Sequence, residues 1–175
     1  MKKLVKVFLL SLTIAGITFS GTALGDITLN ITGTIKASPC EVDAGSDNTI
    51  NVDLGKNIEA TKLAAQDSYT DWVPVTILLK NCPATTTAAI AKFTGTPATA
   101  TGAADMYENT GSAKNVQIEL QDSETGASQG NNSTMEAPVS ASAASFALQA
   151  RAYSVEGGAT PGNIAGSVQV SFTYQ

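Results

Sequence analysis

Few residues in this sequence could do chemistry, and their spacing limits what that chemistry could be. None of the 175 residues is a histidine. That removes the Ser-His-Asp triad, the Cys-His pair, the imidazole general base and every zinc site that uses imidazole. Cys40 and Cys82 are the only cysteines, too few for a four-thiolate centre. Asp67 and Asp71 stand four apart, but two carboxylates divide acid and base work only where burial separates their pKa values, and their polar stretch reads as a solvated face. Asp43–Asn48 suggests an acidic calcium loop until it is counted: Gly45 falls at position 3 and Leu54 at position 12, so the EF-hand pattern fails at both. Gly157, Gly158 and Gly162 lack the Gly-x-x-x-x-Gly-Lys spacing of a phosphate loop and read as turn chemistry. Asn30-Ile31-Thr32 and Asn132-Ser133-Thr134 match the glycosylation acceptor, a pattern that arises often by chance. The sequence therefore offers no catalytic residue, no metal site and no cofactor site. An enzyme on a secreted β-sandwich is the remotest of the alternatives.

Composition points the same way. Ten Lys and Arg against fifteen Asp and Glu give a net charge of −5, and such a chain cannot present the basic surface that neutralises phosphates, so nucleic acid is not an expected partner. Charged residues make up 14% of the chain, against roughly 25% in an average soluble domain. So few charges imply surface that is covered in the working state.

Lys2, Lys3 and Lys6 precede an apolar run from Val7 to Phe19, and Ala23-Leu24-Gly25 places small residues before Asp26. Residues 1–25 read as a secretory signal peptide. The run is about 13 residues, short of the roughly 20 that span a bilayer, and no membrane insertion of the mature chain is expected. Cleavage after Gly25, or one residue earlier after Leu24, removes three lysines and takes the net charge from −5 to −8. Export to an oxidising compartment favours one structural disulfide, Cys40 to Cys82, over two free thiols. The wide spacing, with Pro39 and Pro83 adjoining the cysteines, argues against a redox Cys-x-x-Cys site. Closing so long a loop contributes roughly 4 kcal/mol in the chain-entropy account.

The elements that carry these residues read as strands and turns. Ile27, Leu29, Ile31 and Ile35 alternate with polar residues, with Gly33 taking one place in the apolar register, and period two predicts a strand. Further strands are expected at Thr49–Leu54, Trp72–Leu79, Ala89–Phe93, Val116–Leu120, Phe146–Tyr153 and Val168–Tyr174, with Pro74 marking an edge or a bulge. Only Ala60–Gln66 looks helical, for about two turns, while Ala84–Ala89 and Thr94–Ala104 look like loops. Seven or more short strands in one domain indicate an immunoglobulin-like β-sandwich.

The two ends of the mature chain differ from ordinary strands. Ile27–Ile35 and Ile164–Gln175 contain neither charge nor proline, the devices that protect exposed sheet edges. On the last strand Gly162, Ile164, Gly166, Val168, Val170, Phe172 and Tyr174 form an apolar or small face, with Gln169, Ser171 and Thr173 on the polar one. Such edges pair either within their own domain or with other chains.

Together these features resemble the pilin subunits of the bacterial chaperone-usher pathway. The residues that carry the resemblance are the signal peptide, the alternating N-terminal segment with Gly33, Cys40, Asn81-Cys82-Pro83, Gly162 as fourteenth residue from the end and Tyr174 as penultimate residue. Gln117–Asp122, Phe146–Tyr153 and Gly157-Gly158-Ala159-Thr160 look most like a minor tip subunit of type 1 fimbriae, a major rod subunit being the alternative. An adhesin with a separate sugar-binding domain ahead of the pilin domain does not fit, because the donor-like segment starts at once after cleavage.

The resemblance implies an incomplete immunoglobulin-like sandwich lacking its last strand, preceded by an N-terminal donor-strand extension. Residues 1–25 would be the signal peptide, 26–38 the extension and 39–175 the pilin domain. Ile27, Leu29, Ile31, Gly33 and Ile35 would be the donor-strand residues. Gly162, Val168, Val170, Phe172, Tyr174 and Gln175 would flank the acceptor groove and be read by a periplasmic chaperone, whose basic residues would hold the Gln175 carboxylate. The implied partners are that chaperone, an outer-membrane usher and neighbouring pilin subunits or an adhesin, and the implied location is a cell-surface fimbrium reached through the periplasm.

Intact mass of the periplasmic protein should match 150 or 151 residues less two hydrogens, with no alkylatable thiol in the native state. A retained N-terminus or two free thiols would contradict both the processing and the bridge. Cys40→Ser should cost several kcal/mol, seen as loss of soluble protein.

Overall fold

The computed structural model of the chain describes residues 30–36, 38–45 and 47–175. The signal-peptide reading and donor positions Ile27 and Leu29 fall outside them. The chain divides into two compact units, Met1–Thr34 and Ile35–Gln175. In the first, Asn30–Thr34 belong to no strand and are exposed. The described residues of the second form nine strands and one short helical turn.

Two sheets form the second unit. The larger has six strands: β1 (Glu41–Val42), β3 (Val73–Lys80), β8 (Ala144–Ser154), β6 (Gln117–Asp122) and β5 (Tyr107–Glu108) lie side by side in that order, and β2 (Ser68–Tyr69) pairs with the end of β8. The smaller has three, β7 (Thr134–Pro138), β4 (Ala88–Gly95) and β9 (Val168–Tyr174), with β4 in the middle. All ladders are antiparallel. Their hydrophobic faces meet to form the core, as period two requires. On β8, Ala144, Phe146, Leu148, Ala150 and Ala152 are buried while Ser145, Ala147, Gln149, Arg151 and Tyr153 face outward. Val75, Ile77 and Leu79 of β3 and Ala89, Ala91 and Phe93 of β4 complete the inner faces. Cys40 and Cys82 are bonded, tying the entry to β1 to the residue pair after β3.

The long strands lie where the alternation places them, and the deviations have physical causes. Thr49–Leu54 has the strand pattern but is in no strand, and no backbone hydrogen bond joins it to another described segment. Alternation fixes which side chains share a face, whereas a strand also needs a partner at its edge. Ala60–Gln66 shrinks to one 3₁₀ turn, Ala60–Leu63, of which only Leu63 is buried, and Asp67 then turns the chain with φ 54°. Ala88 and Thr94–Gly95, expected in loops, extend β4 beyond the expected Ala89–Phe93 at both ends. The unexpected β7 carries Glu136 and ends at Pro138; both residues suit an outer strand, because one edge of β7 has no neighbour. Pro74 sits where only β8 flanks β3, since β1 covers no more than Leu79 and Lys80. Gly157 and Gly158 have φ +75° and +68° in the turn after β8, and a Cβ on Gly157 would stand 2.7 Å from the Ala64 carbonyl oxygen.

Truncating the centre of β8 should separate core from surface. Phe146 is fully buried and packs on Phe172 with ring centroids 5.7 Å apart, so Phe146→Ala should cost about 3–5 kcal/mol. Leu78→Ala, at an outward position 45% exposed, should cost under about 0.5 kcal/mol. Denaturant midpoints of the two variants test the assignment.

Candidate functional site

The chemistry-bearing residues of the sequence do not converge. Asp71 is exposed and paired with Lys62 at 2.8 Å, and that ammonium holds its carboxyl below the ordinary value. Asp67 accepts a long contact, 3.4 Å, from the Tyr153 hydroxyl. Asp43 pairs with Lys80 at 2.8 Å. Among the described residues no three His, Cys, Asp or Glu side chains are grouped to hold a metal ion.

The residues that do converge are apolar. Along β9, Val168, Val170, Phe172 and Tyr174 face the core but remain only half-buried, while the alternating residues are exposed. One edge of β9 bonds to β4 from Ala89↔Tyr174 to Gly95↔Val168, and among the described residues its other edge has no strand. Beside that free edge lies an open groove of about 1650 Å³, larger than the roughly 300–1,000 Å³ of a small-molecule site. Its far wall is the unpaired segment Asn48–Ile58, in which Ile50 and Val52 are 39% and 40% exposed. Its floor is the core itself: Val75 and Ile77 of β3, Leu120 of β6, and Leu148 and Ala150 of β8. Neither wall has a strand partner on the groove side among the described residues, although the Thr49 and Gly55 amides donate to the Asp47 and Asp53 carboxylates, and buried backbone groups left without partners are costly.

Tyr107 also lines the groove and donates its hydroxyl to the Gln129 carbonyl oxygen at 2.8 Å. Burial pushes its pKa up to about 12, so the hydroxyl stays a donor across any physiological pH. The ends of β9 are fixed separately. At its end the Gln175 amide donates to the Ala88 carbonyl at 3.0 Å and the Gln175 oxygen accepts from the Thr87 amide at 2.7 Å. Burial raises the pKa of Tyr174, whose hydroxyl reaches the Cys40 carbonyl at 3.4 Å. Before β9, Thr110 and Ala113 donate backbone bonds to Ala165 and Asn163. That crossing requires Gly162, because a Cβ there would press into the Ala113 backbone. Its role is close backbone approach, since its φ is not in the left-handed region, and the turn proper belongs to Gly157 and Gly158.

The structure thus brings Gly162, Val168, Val170 and Phe172 together as lining of one groove, with Tyr174 and Gln175 anchoring its strand. Ile31 and Ile35 are 84% and 101% exposed, and a Cβ on Gly33 would meet nothing within 4 Å. Sequence reading missed the opposite wall and the floor. The alternation of Ile50, Val52 and Leu54 carried the signal for the wall; the floor residues were legible only as core.

A family model described as fimbrial protein matches residues 29–175. Over 150 residues the chain is 37% identical to Protein FimG of Escherichia coli (strain K12), covering 85% of each chain. Over 176 residues it is 34% identical to the uncharacterized fimbrial-like protein YdeR of the same strain, covering 100% of both. In three dimensions it resembles a subunit of a solved chaperone-usher pilus with a TM-score of 0.61 and 18% identity, covering 87% of this chain and 97% of that one, a likeness of fold. An all-β sandwich with one disulfide and an uncovered core, matched over most of its length by these relatives, belongs to the fimbrial protein family.

Proposed function

We propose that this chain is a non-enzymatic structural subunit of a chaperone-usher fimbria and polymerises by donor-strand exchange. The observation that carries the proposal is the groove: an open core flanked by β9 and by Asn48–Ile58, neither of which pairs with a strand of the described residues on the side that faces it. An inserted strand satisfies both edges at once and covers Val75, Ile77, Leu120 and Leu148. This is the strand-addition mode of recognition, for which pilin complementation is itself a standard illustration. Each aliphatic side chain so buried contributes about 1.5–3 kcal/mol before ordering costs.

In this reading a periplasmic chaperone first supplies the strand, reading Val168, Val170, Phe172 and Tyr174 and holding the Gln175 carboxylate. At the outer-membrane usher the N-terminal extension of the next subunit replaces it. This chain's own extension, residues 26–38, serves the preceding neighbour through Ile27, Leu29, Ile31, Gly33 and Ile35. The exposure of Ile31 and Ile35 leaves both side chains available to a partner's groove. Residues 39–175 form the pilin domain, and the assembled product stands on the cell surface as a minor tip adaptor.

Thermal melting separates donor from self-pairing. A neighbouring subunit bound to a synthetic peptide of residues 26–35 should melt well above the same subunit bound to chaperone. Gly33→Leu in the peptide should reduce that gain by roughly 1–3 kcal/mol through overpacking. No rise with the native peptide would remove the donor assignment. Val170→Asp should abolish co-purification with the chaperone, because an unpaired carboxylate would be buried.

A further inference from the structure

The face of the large sheet opposite the groove concentrates side chains that the assembly reading does not use. The chain contains one tryptophan, one arginine and four tyrosines. Trp72, Arg151, Tyr69 and Tyr153 meet on this face. The Arg151 guanidinium lies 3.8 Å from the centre of the Tyr69 ring and 4.0 Å from that of Trp72, and Tyr69 stacks on Tyr153 at 5.9 Å. Glu119, paired across the ladder with Arg151, accepts from its Nε at 2.6 Å. Both side chains are held tightly, 13% and 17% exposed. This group is a rigid platform, and Tyr69, 52% exposed, is its open part.

Its polar capacity is only partly spent. Arg151 uses Nε alone, and its two terminal nitrogens donate to no described residue. One cross-strand step away, Gln149 pairs with Gln121. These side chains share the outward face with Arg151, and neither amide bonds to a described group. Neighbouring pairs of this kind lie about 5 Å apart across the strands and about 7 Å along them, the footprint of a single sugar ring. Planar amide and guanidinium groups match vicinal hydroxyls, and aromatic surface with a wet edge suits the C–H face of such a ring.

We infer that Tyr69, Trp72, Glu119, Gln149, Arg151 and Tyr153 form a carbohydrate-binding site for a neutral hexopyranose. Charge selects the neutral sugar. Arg151 is neutralised by Glu119, Lys62 by Asp71, and Asp67 beside Tyr153 adds an uncompensated carboxylate, so an acidic sugar meets net negative charge. Because Ala150 and Leu148 face the groove while Gln149 and Arg151 face away, the site stays open when the groove is filled, and its test is independent of donor-strand exchange.

Trp72 is the chain's only tryptophan, so its emission reports on the site directly. The mature protein should be titrated with the methyl glycosides of glucose, galactose, mannose and N-acetylglucosamine, and with sialyllactose. One neutral glycoside should give a saturable change in emission. Gln149→Ala and Tyr69→Ala, substitutions at half-buried and exposed surface positions whose folding is checked by far-ultraviolet dichroism and the denaturant midpoint, should each weaken it about tenfold, the scale of one lost contact. The inference is overturned by the absence of saturable change with all four glycosides. It is equally overturned by a response to sialyllactose alone, by an emission change that follows protein concentration without sugar, or by variants that titrate like the native chain.

Discussion

Three strands cannot cover a six-stranded sheet, and that mismatch governs the rest of the molecule. The smaller sheet ends at β9, so the inner face of β3, β8 and β6 continues past it with no strand of the described residues opposite. Every property of the groove follows. The β9 side chains are half-buried because only one of their two neighbours exists, and the core residues Val75, Ile77 and Leu148 double as its floor. Asn48–Ile58 joins no ladder because no strand of the described residues lies between it and β9. In the proposed assembly the deficit becomes the means of association, the missing element being supplied by an uncharged alternating segment such as Ile27–Ile35 of a neighbouring subunit.

A hydrophobic groove of this size would collapse unless its walls were held apart. The two ends of β9 are fixed by different chemistry. At the carboxyl end the ladder to β4 runs to the last residue, and Tyr174 reaches across to the backbone beside the disulfide. At the other end the segment before β9 is laced to 109–113 by backbone bonds that a side chain at position 162 would forbid. Between these two anchors β9 spans the opening with its free edge intact.

Much of this was legible in the residues themselves. Val168–Tyr174 matches its strand to the residue, and the unprotected edge of that strand follows from the absence of charge and proline. The cysteine pair followed from export and from there being only two. Thr49–Leu54 was misread because alternation encodes faces and says nothing about whether a neighbour is present, and the same pattern that implies a paired strand also fits a wall awaiting one. The part played by Gly162 was hidden for a related reason. Glycine in a sequence signals a turn or a close approach equally well, and only the position of the Ala113 backbone separates them. The platform around Arg151 could not be seen at all, since Tyr69 and Trp72, Glu119, and Arg151 come from three separate stretches that only the strand order brings together.

The disulfide sets the path by which a pulling force crosses the subunit. Tension applied through an extension ahead of Cys40 reaches a covalent bond before it reaches any ladder. The bond passes it to Cys82, at the end of β3, the strand that shares its longest ladder with the central β8. Peeling β1, only two residues long, would otherwise be the first response to traction. With the crosslink in place, the extension cannot be drawn out by unzipping the fold from its weakest strand. The strain is delivered to β3 and β8, where many hydrogen bonds must shear together.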